Sequence, residues 1–81
     1  MYWVYVLQSE TEGRMYVGMT EDPERRLQEH NAGKSKWTRR FRPWRMVHTE
    51  CYETKREALN REKYLKSGWG RRWLKRRLGH L

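Results

Sequence analysis

The chain has 81 residues, enough for one domain with one small core. Nineteen Lys and Arg against ten Asp and Glu leave a formal charge of +9, yet 14% of the residues are aromatic, which excludes a disordered polybasic tail. No apolar run approaches the roughly 18–20 residues of a membrane span, and the lone Cys51 excludes an internal disulfide or a cysteine-built zinc site. The short apolar run at the N-terminus has no basic flank before it and no small-residue cleavage site after it. A signal peptide is therefore not expected, and the expected setting is a reducing cytoplasm with a polyanionic partner.

Taken in order, residues 2–7 (Tyr-Trp-Val-Tyr-Val-Leu) are β-branched and aromatic and read as a buried strand. A polar turn, Gln8 to Gly13, joins it to a second strand over Arg14 to Thr20, which makes an antiparallel hairpin. Asp22 and Pro23 form a capping side chain followed by a first-turn proline. They open a helix that runs through His30 and stops before Gly33. Residues 33–44 read as a basic loop, and Arg45 to Tyr52 as a third strand. Thr54-Lys-Arg-Glu57 is a capping box for a second helix with Ala58, Leu59, Tyr64 and Leu65 as its stripe and Gly68 as its stop. Residues 69–78 suggest a third helix with Trp69, Trp73, Leu74 and Leu78 inward. The order β-β-α-β-α-α gives a small α+β domain spanning 1–81, with a mixed or antiparallel three-stranded sheet flanked by helices.

Three groups of residues invite a chemical reading. Glu62 leans against the apolar stripe, four after Ala58 and three before Leu65, where a carboxylate must be paired, metal-bound or catalytic. Spacing alone favours the plainer account, an ion pair with Lys66. Arg26 and His30 share one helix face and could grip a phosphate, although a solvated face explains them as well. Tyr5 and Tyr16 sit on strands that should pair, and each taken singly is a core residue. Phosphodiester hydrolysis needs activated water, a cation for the phosphoryl charge and help for the leaving oxygen. Tyr, Arg, His and Glu could supply these together. For Met1, Met15, His48 and Cys51, packing or exposure outweighs any functional case.

At these residues the chain resembles the GIY-YIG nucleases, in particular the short stand-alone bacterial members related to the nuclease module of the UvrC excision-repair protein. The two family tripeptides appear as Val4-Tyr5-Val6 and Tyr16-Val17-Gly18, with Val4 in place of the first glycine. The helix motif appears as Arg26-Leu27 followed by His30-Asn31, and the second-helix motif as Glu57-Ala58-Leu59-Asn60-Arg61-Glu62-Lys63 with Lys66 after it. Gly33-Lys34, Thr38-Arg39-Arg40 and Pro43 lie between them in the same order as in the short members. The resemblance runs from Tyr2 to about Leu78.

The resemblance implies the GIY-YIG fold and a metal-dependent endonuclease that hydrolyses DNA phosphodiesters, in a repair-related setting. It makes Glu62 the metal-binding glutamate, and a single Mg²⁺ or Mn²⁺ suits one carboxylate plus waters and substrate oxygens. Arg26 would stabilise the scissile phosphate. Tyr16 would activate the water, assisted by Tyr5 and His30. A free tyrosine has a pKa of about 10, so His30 stands as a rival base. Gly18 would let the backbone approach closely at the end of the second strand.

Lys34, Lys36, Arg39, Arg40 and Arg42, with Trp37 among them, combine phosphate attraction with a stacking face for nucleic acid. Arg71, Arg72, Lys75, Arg76 and Arg77 form a second patch, in which Trp69 and Trp73 read as core. The expected partner is DNA, with branched or damaged forms and RNA left open, no membrane and no named protein partner. A second function class is a GIY-YIG fold that binds nucleic acid without cutting, or cuts only with a partner. A basic RNA-associated protein, supported by charge alone, ranks third.

Overall fold

The first two strand segments pair as the hairpin that their short polar connection demands. In the computed structural model, which describes residues 1–79, β1 is Tyr2–Ser9, β2 Met15–Thr20 and β3 Trp44–Tyr52. The sheet is wholly antiparallel, in the order β2-β1-β3, so β2 and β3 are its edges. Helices α1 (Pro23–Asn31), α2 (Lys55–Lys66) and α3 (Gly68–Leu78) complete the α+β fold.

The helix starts follow their capping side chains. Asp22 accepts the Arg25 backbone N–H at 3.1 Å, and Thr54 accepts that of Glu57 at 3.2 Å, each satisfying a first-turn donor the helix cannot. The expected stop at Gly68 is corrected. Ser67 ends α2 by donating its N–H to the Tyr64 carbonyl, and its hydroxyl caps α3 through the Gly70 N–H. Gly68 is the first residue of α3. A side chain at Gly70 would overlap the Tyr64 carbonyl and Leu65 backbone, so glycine is what lets the two helices join through one residue.

Strand alternation sorts the core onto two faces. Val4 and Val6 of β1, with Val17, pack beneath Ala58 and Leu65 of α2 and Leu74 of α3. Tyr5 and Leu7 point the other way, to Phe41, Trp44, Leu27 and Tyr16. Three expected inward residues are corrected: Leu59 is 43% exposed, Tyr64 41% and Trp69 71%. Successive helical residues are about 100° apart, so a helix that seats Ala58 and Leu65 turns Leu59 toward water. Trp69 lies in the first turn of α3, whereas Leu74, Trp73 and Leu78 pack against the sheet side of the core.

The basic loop has more structure than its composition suggests. Thr38–Phe41 forms a 3-10 turn in which Thr38 and Phe41 are buried, and the strand after it begins at a buried Trp44. Asn31, at the end of α1, holds the Trp44 backbone with both amide atoms, at 2.7 and 2.9 Å. The Trp44 indole N–H donates to the Thr38 carbonyl at 2.7 Å, and Ser9 Oγ donates to the Phe41 carbonyl at 2.6 Å. These bonds fasten the loop to α1 and β1, which is why its cations all face out. Among the described residues no helix is long and apolar enough to cross a membrane.

Candidate active site

Register brings the tyrosines together. Tyr5 lies opposite Gly18, and Tyr16, two residues before Gly18, shares its face, so the two rings are diagonal neighbours with centroids 6.2 Å apart. The Tyr5 hydroxyl occupies the space a Gly18 side chain would need. On α1, Arg26 and His30 are one turn apart and face this same side of the sheet. His30 is fully buried, its Nε2 3.0 Å from the Tyr5 hydroxyl and its Nδ1 2.7 Å from the Thr38 hydroxyl. The Tyr16 ring stands edge-on to His30 at 5.0 Å and lies 6.0 Å from Trp37.

The charges are set by these neighbours. Burial pushes the Tyr5 phenol up to about 12, against the opposing pull of Arg26 and with added repulsion from Tyr16 and Glu62. Burial also pushes the His30 imidazole down to about 4, helped by the positive charge of Arg26. At neutral pH Tyr5 therefore keeps its proton and His30 is uncharged. A tyrosine hydroxyl donating to Nε2, with Nδ1–H donating to Thr38, satisfies both rings. Arg26 is one-third exposed, bonded to Glu29 at 3.0 Å and turned toward the Tyr5 hydroxyl as well.

Glu62 stands apart from the other four, on a helix that covers the opposite face of the sheet, although Tyr5 senses its charge. Its side chain is 19% exposed, and Oε2 is 2.9 Å from Lys66 Nζ, the ion pair that spacing suggests. A groove of about 580 Å³ runs around the β2 edge, lined on one side by Tyr16 and Trp37 and on the other by Leu65, Lys66 and Leu74.

Among the described residues no group of three or more His, Cys, Asp or Glu could enclose a metal ion. The donor chemistry of a single carboxylate fits an ion that keeps most of its ligands as water and substrate oxygen, as Mg²⁺ does. Glu62 could offer one such carboxylate, with Oε1 free of hydrogen bonds among the described residues. The cations of the loop (Lys34, Lys36, Arg39, Arg40, Arg42) and of α3 (Arg71, Arg72, Lys75, Arg76, Arg77) are all exposed, and Trp37 is 43% exposed.

Two features escaped the sequence. Thr38 is the far end of the Tyr5–His30 chain, and the Thr38-Arg39-Arg40 block shared with the short members was its available signal. Glu50 of β3 gathers Arg61 at 2.8 and 3.1 Å, His48 at 2.8 Å and Tyr52 at 2.6 Å. Burial works against its ionisation, yet these hydrogen bonds, led by Arg61, hold the carboxyl down at about 2. The Arg61 guanidinium also lies 4.6 Å from the Trp73 ring centre. Arg61 thus ties α2 to β3 beside Glu62. The alternation 48, 50, 52 on one strand face was the available signal.

Comparison with known proteins places this arrangement. Residues 1–76 match the family model described as the GIY-YIG catalytic domain. A UPF0213 protein of Haloquadratum walsbyi is 45% identical over 67 residues, covering 82% of this chain and 74% of that one. One from Bacillus pumilus is 42% identical over 72 residues, 88% of this chain and 71% of its own length. The solution structure of a UPF0213 protein from Bacillus halodurans superposes with a TM-score of 0.55 at 36% identity, covering 91% of this chain and 82% of that one.

Proposed function

From the premise that the chain belongs to the GIY-YIG catalytic-domain family, we propose that it is a metal-dependent endonuclease that hydrolyses phosphodiester bonds in DNA. The observation that carries this reading is the buried Tyr5–His30–Thr38 chain, which uses both imidazole nitrogens and leaves Tyr16 as the tyrosine facing the groove. His30 has no nitrogen left for water, so its part is to fix Tyr5 and wall the site. Tyr16 takes the proton of the attacking water while the water oxygen bonds to phosphorus and the phosphorus–oxygen bond to the leaving group breaks. Arg26, beside both tyrosines, stabilises the charge on the non-bridging oxygens. Glu62 would hold a Mg²⁺ or Mn²⁺ ion, which supplies positive charge for the leaving oxygen. Exposed cations on the loop and on α3 bind the flanking phosphates.

The test is nicking of supercoiled DNA with Mg²⁺, Mn²⁺ or chelator. Glu62→Gln should lose cleavage while keeping the fold and most DNA affinity, since it removes no cation from the binding surface. Tyr16→Phe should lose about 10²-fold or more, the usual worth of a general base. Full-rate cutting by Glu62→Gln, or cutting in chelator, would overturn the proposal.

A further inference from the structure

The groove at the β2 edge has a make-up that phosphate binding alone does not explain. Its floor is apolar, with half-buried Met15 and the edge of Val17 lying over the fully buried Leu65 and Leu74. Arg14, Lys66, Arg71 and Lys75 line its walls, and no carboxylate is among the lining residues. Arg14 shares its charge with Glu12 and Lys66 with Glu62, whereas Arg71 and Lys75 make no ion pair among the described residues. Two aromatic rings, Tyr16 and Trp37, stand at one end with centroids 6.0 Å apart and planes 31° from parallel. The volume, about 580 Å³, lies in the range of roughly 300–1,000 Å³ typical of small-ligand sites.

Charge complementarity selects a polyanion, and the floor then selects among polyanions. A duplex offers phosphates, sugars and base edges to a groove but not flat base faces, because its bases are stacked on one another. An acidic peptide would bring carboxylates but no flat apolar group for the floor and the Trp37 ring. A nucleotide whose base has left its stack brings both parts, an anionic backbone and a planar apolar face.

We infer that this groove is a subsite for one unpaired nucleotide of a single-stranded or frayed DNA strand, its base against Trp37 and its phosphates on Arg14, Arg71 and Lys75. The subsite begins at Tyr16, so under the nuclease reading, on which this placement rests, the unpaired nucleotide adjoins the scissile phosphate. Arg14 and Trp37 become determinants of which DNA form is held, and single-stranded or branched ends are preferred over intact duplex.

The test uses the full chain in chelator, so that no cutting is needed. Binding of an eight-residue oligothymidylate is compared with an abasic phosphodiester of equal length and with polyglutamate. Wild type should prefer the thymidylate by about ten-fold, a typical worth for one stacked base. Trp37→Leu, checked for native circular dichroism, should bring the two oligomers within about two-fold. Arg14→Glu, an exposed change, should weaken both together. Should the Trp37 variant fail to fold, photocrosslinking of wild type to an iodouracil oligomer decides, with adducts expected on Trp37 or Tyr16. Equal affinity for the base-bearing and abasic oligomers overturns the inference, as does equal competition by polyglutamate, no effect of Arg14→Glu, or adducts confined to other residues. The nuclease reading fails separately, through a wild-type protein that cuts no DNA with Mg²⁺ or Mn²⁺, and that result leaves the base preference standing.

Discussion

Replacing Gly18 with alanine should cost far more than one methyl group normally does. The new Cβ would sit 2.6 Å from Tyr5 Cζ and 2.9 Å from Cε1, with the hydroxyl closer still. Carbon atoms in contact prefer about 3.5–4.0 Å, so the ring must retreat by about 1 Å. Tyr5 is 1% exposed and bonded to His30, which leaves it nowhere to go without breaking that bond. Overpacking costs about 1–3 kcal/mol, and losing a buried hydrogen bond adds about 1 kcal/mol. The total, roughly 2–4 kcal/mol, corresponds to a fall in melting temperature of about 10–25 °C for a chain of this size.

Urea unfolding of Gly18→Ala, Tyr5→Phe and the double variant measures both parts. Tyr5→Phe removes the atom that overlaps most, so the double variant should be less damaged than the sum of the singles by about 1 kcal/mol. Cleavage should fall further than stability explains, because Tyr5 braces the Tyr16 ring. A Gly18→Ala protein within about 0.5 kcal/mol of wild type, or a cycle that closes to zero, would refute the reasoning.

Three further outcomes are expected. His30 is held at about 4 against an ordinary 6.5, so its contribution to stability is whole above pH 6.5 and is lost as pH falls toward 4. Two and a half pH units, at about 1.4 kcal/mol each, set a ceiling of about 3 kcal/mol, and urea midpoints unchanged between pH 7 and 4.5 would contradict it. Arg61→Ala strands the Glu50 carboxylate and should cost ~2 kcal/mol, less than the 3–5 of a fully buried pair, with Glu50→Gln recovering part of it in the double variant. Duplex binding through about four phosphates should give a slope of log K against log[salt] near −3.6, and Arg72→Ala with Arg76→Ala should bring it to roughly −1.8 equally for unrelated sequences. A salt-independent affinity would contradict the phosphate account.

What the sequence determined is local. Asp22-Pro23 and Thr54 with Glu57 set the starts of α1 and α2, because a cap and the donors it satisfies lie within three residues of each other. Period-two alternation put Tyr16 and Gly18 on one face, and the hairpin placed Tyr5 against them. The spacing of Arg26 and His30 put both on one side of α1. Tertiary structure alone decided the rest. Helical periodicity gives angles between residues but not the direction of the core, so Ala58 and Leu65 went in while Leu59 and Trp69 stayed out. The bonds of His30 to Tyr5 and Thr38 join residues 25 and 8 apart, and Glu50 meets Arg61 across a strand and a helix. Which of the groups able to move a proton faces the groove follows from those long-range bonds, because an imidazole bonded at both nitrogens has none left for water.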